Sequence, residues 1–203
     1  MTLPLFALGA AAGGLYLWAF AGDRRGLAVA LKPLPVLCLA AWVAAGARTP
    51  SAWLVVAGLV VSLVADVLIE SSFLAGLGTF LLAHVAYIAA FVARTGEPRP
   101  MLLLPFLAWG ALVLARLWPG LGPMRVPVIV YAAVICTMMW RAAAMVGTPG
   151  GWTALAGAVL FAASDTLIAW DRFHRPIPGS RYPIMLLYWA GQLLIAMSAR
   201  RYL

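Results

Sequence analysis

The chain has 203 residues, of which 65% are hydrophobic and only 10% charged, with a net charge of +8 and a mean hydropathy of +1.00. A water-soluble domain carries roughly 25% charged residues, so this composition cannot cover a globule with water-compatible groups and excludes a soluble fold. Lipid must solvate most of the surface, and the backbone must then be helical throughout its buried length.

Breakers and charges divide the chain into eight predicted spans, at 3–20, 27–46, 52–69, 73–93, 101–118, 124–146, 152–170 and 183–199. Each approaches the roughly 20 residues that cross a bilayer core. The run 1–21 is apolar, and Ala19-Phe20-Ala21 resembles a cleavage site. No positive residue precedes it, so it reads as a first span rather than a signal peptide. The connections 22–26, 47–51, 70–72, 95–100, 119–123, 147–151 and 171–182 carry the Gly, Pro, Ser and Arg of turns. None has room for a soluble domain. The expectation is one integral membrane domain over 1–203, an all-α, polytopic bundle of eight transmembrane helices. Many of the nine Trp fall near predicted helix ends, as interface anchors do.

The basic residues are scattered through short loops, with no basic run and no nucleic-acid reader motif. They read as flanks of membrane spans touching anionic headgroups, and nucleic acid is not an expected partner. Arg24, Arg25, Lys32, Arg116, Arg125, Arg172, Arg175 and Arg181 lie on the side of the odd-numbered connections; Arg48, Arg94, Arg99, Arg141, Arg200 and Arg201 lie on the other. That near-even division tilts the odd connections toward the cytoplasm without fixing an orientation. Cys38 and Cys136 fall inside predicted helices, without CxxC or zinc spacing, so neither a disulfide framework nor a metal site is expected.

Spans three and seven carry similar patterns. Gly58-x3-Ser62-x3-Asp66-x-Leu68-Ile69 lies on the third, and Gly157-x6-Ser164-Asp165-x-Leu167-Ile168 on the seventh. The two spans run in the same direction, which raises a parallel four-plus-four internal repeat.

Ionisable groups inside spans are costly unless paired or hydrated, and their default reading is functional. Asp66 closes span three, with Gly58 and Ser62 on the same helical face. Asp165 closes span seven beside Ser164. Lys32 lies near the start of span two. All three belong to the odd-connection side. His84 sits about 16 Å into span four, with Tyr87 one turn on. Tyr131 on span six, and Tyr188 with Gln192 on span eight, enter from the same side. Polar groups from six helices thus converge at one depth. Glu70 and Asp171 at helix ends read as interfacial, and His174 as a solvated loop residue. The other side of the bundle offers little of this kind; only Arg141, near a helix end, comes close.

Two carboxylates in a poorly hydrated cavity do not both stay ionised easily, which leaves a neutral acid beside a charged base. That suits acid-catalysed cleavage through an oxocarbenium-like cation, one Asp donating the proton and the other stabilising charge and orienting water. HExxH, GxSxG, P-loop and Rossmann patterns do not occur, and paired-histidine haem ligation fails because one of the two His is in a loop.

The ordered set Lys32-Pro33, Gly58 to Asp66, Phe80-Leu-Leu-Ala-His84-Val-Ala-Tyr87, Gly157 to Ser164-Asp165, and Tyr188-Trp-Ala-Gly-Gln192 resembles the YhhN-like lysoplasmalogenase family over about residues 30–196. Ala65 replaces a Gly often found before the Asp, a small-for-small change. The resemblance implies an eight-helix membrane enzyme that hydrolyses the vinyl ether bond of lysoplasmalogens, giving a fatty aldehyde and glycerophosphoethanolamine or glycerophosphocholine. It implies no metal and no organic cofactor. The expected partners are a lysophospholipid substrate within the bilayer and the surrounding lipids, and the expected location is the cytoplasmic (inner) membrane of a bacterium. Asp66, Asp165 and His84 are then the catalytic candidates. Lys32, Ser62, Tyr87, Tyr131, Ser164, Tyr188 and Gln192 are the substrate-binding ones, with Lys32 placed to hold a phosphate or to favour the charged form of one Asp. The alternative from another class is a small proton- or cation-coupled transporter, for which intramembrane Asp, Lys and His are equally suited.

Overall fold

The structure, a computed structural model, describes residues 2–200. Met1, which opens the first apolar run, and Arg201, counted with the even-side charges, lie outside them. The described chain is helical: α1 Thr2–Ala21, α2 Arg25–Leu31, α3 Leu34–Ala44, α4 Pro50–Ser71, α5 Phe73–Val92, α6 Leu104–Leu117, α7 Arg125–Ala144, α8 Gly151–Phe173 and α9 Arg181–Arg200. With α2 and α3 taken as one interrupted helix, and short 3-10 turns extending α6 and α7, there are eight helices long and apolar enough to cross a membrane. The chain is an integral membrane protein.

The second span is not the continuous helix expected over 27–46. It breaks at Lys32 and Pro33. Pro33 has no N–H to give to the preceding turn, and Pro35 repeats the defect two residues later. The helical ladder stops at the bond from Lys32 N–H to the Ala28 carbonyl, 3.0 Å, and the Pro33 carbonyl next accepts from Leu37 N–H, 2.9 Å. The break leaves Lys32 at a joint, free to turn its side chain inward.

Caps fix the other boundaries near α4. The Thr49 hydroxyl accepts from Ala52 N–H, 3.2 Å, with Pro50 opening the helix. Ser72 alone joins α4 to α5, and its hydroxyl accepts from Ala75 N–H, 3.3 Å. This one-residue link forces a tight antiparallel pair. At Gly76 a Cβ would lie 2.5 Å from the Ile69 Cα, so only glycine admits the approach.

In lipid, helices associate by close packing rather than by exclusion from water, and small residues set the distance. A Cβ on Gly58 would meet the Tyr87 ring at 2.2 Å, locking α4 against α5. A Cβ on Gly157 would meet the Gly191 carbonyl at 2.8 Å, bringing α8 and α9 together backbone to backbone. Around these two pairs, α3 packs on α1, α4 and α9, while α7 packs on α5, α6 and α8. The core between them holds Tyr16, Leu59, Tyr87, Phe91, Phe161 and Ile195, all fully buried. Leu3, Leu8, Val64, Leu82, Leu104 and Val126 are exposed and face the lipid side.

Candidate functional site

The buried face of α4 carries Gly58, Ser62 and Asp66 in register. Asp66 is 1% exposed. Its Oδ2 accepts a hydrogen bond from the Tyr188 hydroxyl of α9, 2.8 Å, and its Oδ1 lies 3.8 Å from the Lys32 Nζ. Lys32, turned inward by the helix break and 5% exposed, also donates to the Asp66 carbonyl at 3.3 Å and to Glu70 Oε1 at 2.7 Å. Asp66 therefore meets one cation and one phenol, each donor aimed at a different oxygen.

Asp165 on α8 has another kind of company. Its Oδ2 accepts from the Tyr131 hydroxyl, 2.7 Å, and lies 3.7 Å from His84 Nε2. The Nδ1 of His84 is 2.7 Å from the Phe80 carbonyl. A carbonyl can only accept, so Nδ1 carries a proton, and in the neutral ring Nε2 then presents a lone pair. That buried Nε2 has no hydrogen-bond partner of its own.

Both aspartates line one chamber of about 220 Å³ at the end of the bundle where α8 meets α9 through residues 174–180. Lys32, Ser164 and Tyr188 share its wall. Ser164 donates to the Ile184 carbonyl at 2.9 Å and so ties α8 to α9. Ser62, Tyr87 and Gln192 lie behind this wall. The Tyr87 hydroxyl donates to Gln192 Oε1, 2.7 Å, and Ser62 donates to the Gly58 carbonyl, 2.9 Å, beside the Tyr87 phenol. Gln192 thus has its oxygen taken by Tyr87, while its buried Nε2 has no hydrogen-bond partner.

An apolar groove runs from the chamber between α5, α6, α7 and α8, lined by Trp109, Val113, Leu117, Val128 and Ile135. The two spaces share Ile69, Phe73, Phe80, Asp165 and Ile168. Phe80 and Phe161 sit edge to face with each other and with Tyr188, and Phe161 packs likewise on His84. Asp165 thus stands where a charged compartment becomes an apolar one.

Glu70 and Arg181 line the chamber and Tyr16 lies behind Arg181, and none of the three was among the sequence candidates. Glu70, expected at the interface, accepts from Lys32 and from the Arg181 guanidinium on the same oxygen, Oε1. Arg181, counted as a loop charge, donates through Nε to the Tyr16 hydroxyl at 2.7 Å. Tyr16 is fully buried on α1. Glu70 lies four residues after Asp66, and Arg181 seven before Tyr188, so helical spacing already placed both on site-facing stripes. Asp171 also lines the chamber, and its carboxylate accepts from Ile177 N–H, 2.6 Å, holding the following loop. His174 packs on Trp170.

The opposite end is more polar than expected, since Arg94 is buried there along with Arg141. Arg94 donates to the Pro149 carbonyl, 2.8 Å, and Arg141 to the Thr95 carbonyl, 2.9 Å, so both close loop ends.

The fold and the site together define an integral membrane bundle in which two carboxylates line one chamber beside an apolar groove. The chain belongs to the YhhN family, whose sequence model matches residues 27–199. It is 39% identical over 195 residues to the lysoplasmalogenase TMEM86B of Homo sapiens, covering 91% of this chain and 80% of that protein. It is 37% identical over 199 residues to the lysoplasmalogenase TMEM86A of Bos taurus, covering 90% and 82%. A lysoplasmalogenase of Mycobacterium bovis is 37% identical over 131 residues, 61% of this chain and 49% of that one. No solved structure matches the chain.

Proposed function

We propose that this protein is a lysoplasmalogenase of the bacterial cytoplasmic membrane, which hydrolyses the vinyl ether bond of a lysoplasmalogen to a fatty aldehyde and glycerophosphoethanolamine or glycerophosphocholine. The observation that carries the reading is the position of Asp165 on the boundary between chamber and groove. A vinyl ether lies at the same boundary of its own molecule, between a glycerophosphate headgroup and an alkyl chain.

The partners of the two aspartates divide the chemistry. Asp66, beside the Lys32 ammonium and the Tyr188 hydroxyl, is the carboxylate. Asp165 has a phenol and a neutral imidazole for neighbours, and is the acid. Its proton goes to the alkenyl carbon β to the ether oxygen, and the electron pair of the double bond forms the new C–H bond. The resulting oxocarbenium ion is stabilised by the Asp66 carboxylate. Water adds to the carbon bearing the oxygen and gives its proton to the Asp165 carboxylate, directly or by way of His84 Nε2, which restores the acid. The hemiacetal so formed breaks into aldehyde and the glycerol hydroxyl. One water is consumed and no redox partner or metal is needed.

The same partners bear on the four-plus-four repeat, which we propose as the origin of the site. Lys32 precedes Asp66, and Tyr131 precedes Asp165, by the same 34 residues. Each aspartate also meets the helix that follows its counterpart, Asp66 meeting α9 and Asp165 meeting α5. Divergence from Lys to Tyr at one such position, and from Tyr to His near the other, makes two like carboxylates unlike. The test is aldehyde release from purified protein given a panel of lysoplasmalogens. No release from any of them, together with solute flux in proteoliposomes, would select the transporter instead.

A further inference from the structure

The chemistry above uses neither Glu70 nor Arg181 nor Tyr16, yet the first two line the chamber and the third holds Arg181 from behind. Lys32 and Arg181 come from the helix break and from the start of α9, and both place a donor on a single oxygen, Glu70 Oε1. Two cations converging on one anionic oxygen form a receptor for an oxyanion, and here the protein supplies that oxyanion itself. Arg181 is aimed by its second bond, from Nε to the buried Tyr16 hydroxyl, which spends one of its donors on orientation. The Glu70 side chain is 22% exposed, against 1% for Asp66, so it stands at the outer edge of the chamber, where it can swing out. Arg172, stacked 4.1 Å over the Phe73 ring, adds a third cation to the same wall.

Distance along α4 gives the scale. Asp66 and Glu70 are one helical turn apart, about 6 Å at 1.5 Å per residue. A three-carbon glycerol backbone bridges a gap of that order between its ether oxygen and its phosphorus.

We propose that Lys32 and Arg181, the latter aimed by Tyr16, form the subsite for the phosphodiester oxyanion of a single-chain ether phospholipid, with the Glu70 carboxylate as an internal stand-in that the headgroup displaces. The inference rests on the lysophospholipid reading of the site. It adds which residues recognise the phosphate, and it makes Arg181 and Glu70 specificity determinants rather than interface charges. Displacement keeps the charge balance, since one monoanion replaces another between the same two cations.

The test is binding, which needs no turnover. A 1-alkyl lysophospholipid, whose saturated ether is not hydrolysed, and a phosphate-free 1-alkylglycerol of the same chain length are titrated by calorimetry into the purified protein in detergent. Arg181→Gln is expected to weaken the phospholipid about 10- to 100-fold, the range of a lost charge-assisted hydrogen bond, and to leave the alkylglycerol within about twofold. Tyr16→Phe shifts the same ratio in the same direction by less, because the guanidinium remains but is no longer aimed. Glu70→Gln strengthens the phospholipid severalfold by removing the competitor. Inorganic phosphate at equal concentration does not displace the ether lipid. Equal weakening of both ligands in Arg181→Gln and in Arg181→Lys overturns the subsite. A Glu70→Gln loss as large as that of Arg181→Gln overturns the stand-in, and displacement by phosphate alone reassigns the site to a free anion. Headgroup discrimination with no aldehyde release from a cleavable lysoplasmalogen sinks the hydrolase reading and leaves the subsite standing.

Discussion

Removing the Tyr188 hydroxyl separates catalysis from packing more cleanly than any other single change. Tyr188→Phe keeps the ring that fills the space between Phe80 and Phe161, and deletes only the donor 2.8 Å from Asp66 Oδ2. Asp66 is only 1% exposed, so a solvent donor does not readily replace it. A hydrogen bond to a charged group is worth about 1.5–3 kcal/mol. If the Asp66 carboxylate stabilises the cationic transition state, most of that energy appears in the barrier, and kcat falls about 10- to 100-fold. If the bond serves the fold alone, the same energy lowers the melting temperature and leaves kcat alone. Aldehyde release at saturating lysoplasmalogen, measured beside a thermal melt in the same detergent, distinguishes the two. A kcat within twofold of the parent refutes the role given to Asp66.

Other outcomes follow from the same geometry. Gly157→Ala should cost more stability than an ordinary surface change, about 1–3 kcal/mol of overpacking, because the α9 backbone at Gly191 and Ile195 would lie within 2.9 Å of the added Cβ, and the loss is read in the melting temperature. Ser164→Ala removes a bond between helices at about 0.5–1.5 kcal/mol and should keep KM within about twofold. A large KM rise would restore the substrate contact expected from sequence. His84→Ala should lower kcat and leave the binding of a saturated ether analogue unchanged, which a titration alongside the kinetic assay checks. A loss of binding would show instead that the ring supports the groove through Phe161 and Tyr131.

The spans were legible because a bilayer imposes a length of about 20 apolar residues, and nothing in 3–20 or 52–69 competes with that signal. The break in the second span was also written in the sequence, as Pro33 and Pro35. Hydropathy alone does not show it, because it carries no hydrogen-bond information. Asp66 and Asp165 stood out because charge in an apolar run has few bland explanations. Glu70 and Arg181 did not, since at a helix end an ion that turns inward looks the same as one that anchors the interface. Tyr16 is one aromatic among many in apolar helices, and only the guanidinium that seeks its hydroxyl sets it apart. The groove could not be read at all. Trp109, Val113, Val128 and Ile135 each look like ordinary membrane-facing residues, and the space between them exists only once α6 and α7 have packed.

The central claim is that two aspartates from α4 and α8 protonate and stabilise one reacting bond. It is tested most directly by incubating the parent protein and its Asp66→Asn and Asp165→Asn variants with a lysoplasmalogen in heavy water, and weighing the aldehyde. The account predicts one deuteron on the carbon beside the carbonyl for the parent, and no aldehyde from either variant while both still bind the saturated ether analogue. Full turnover by both variants, or an aldehyde without the label, contradicts it.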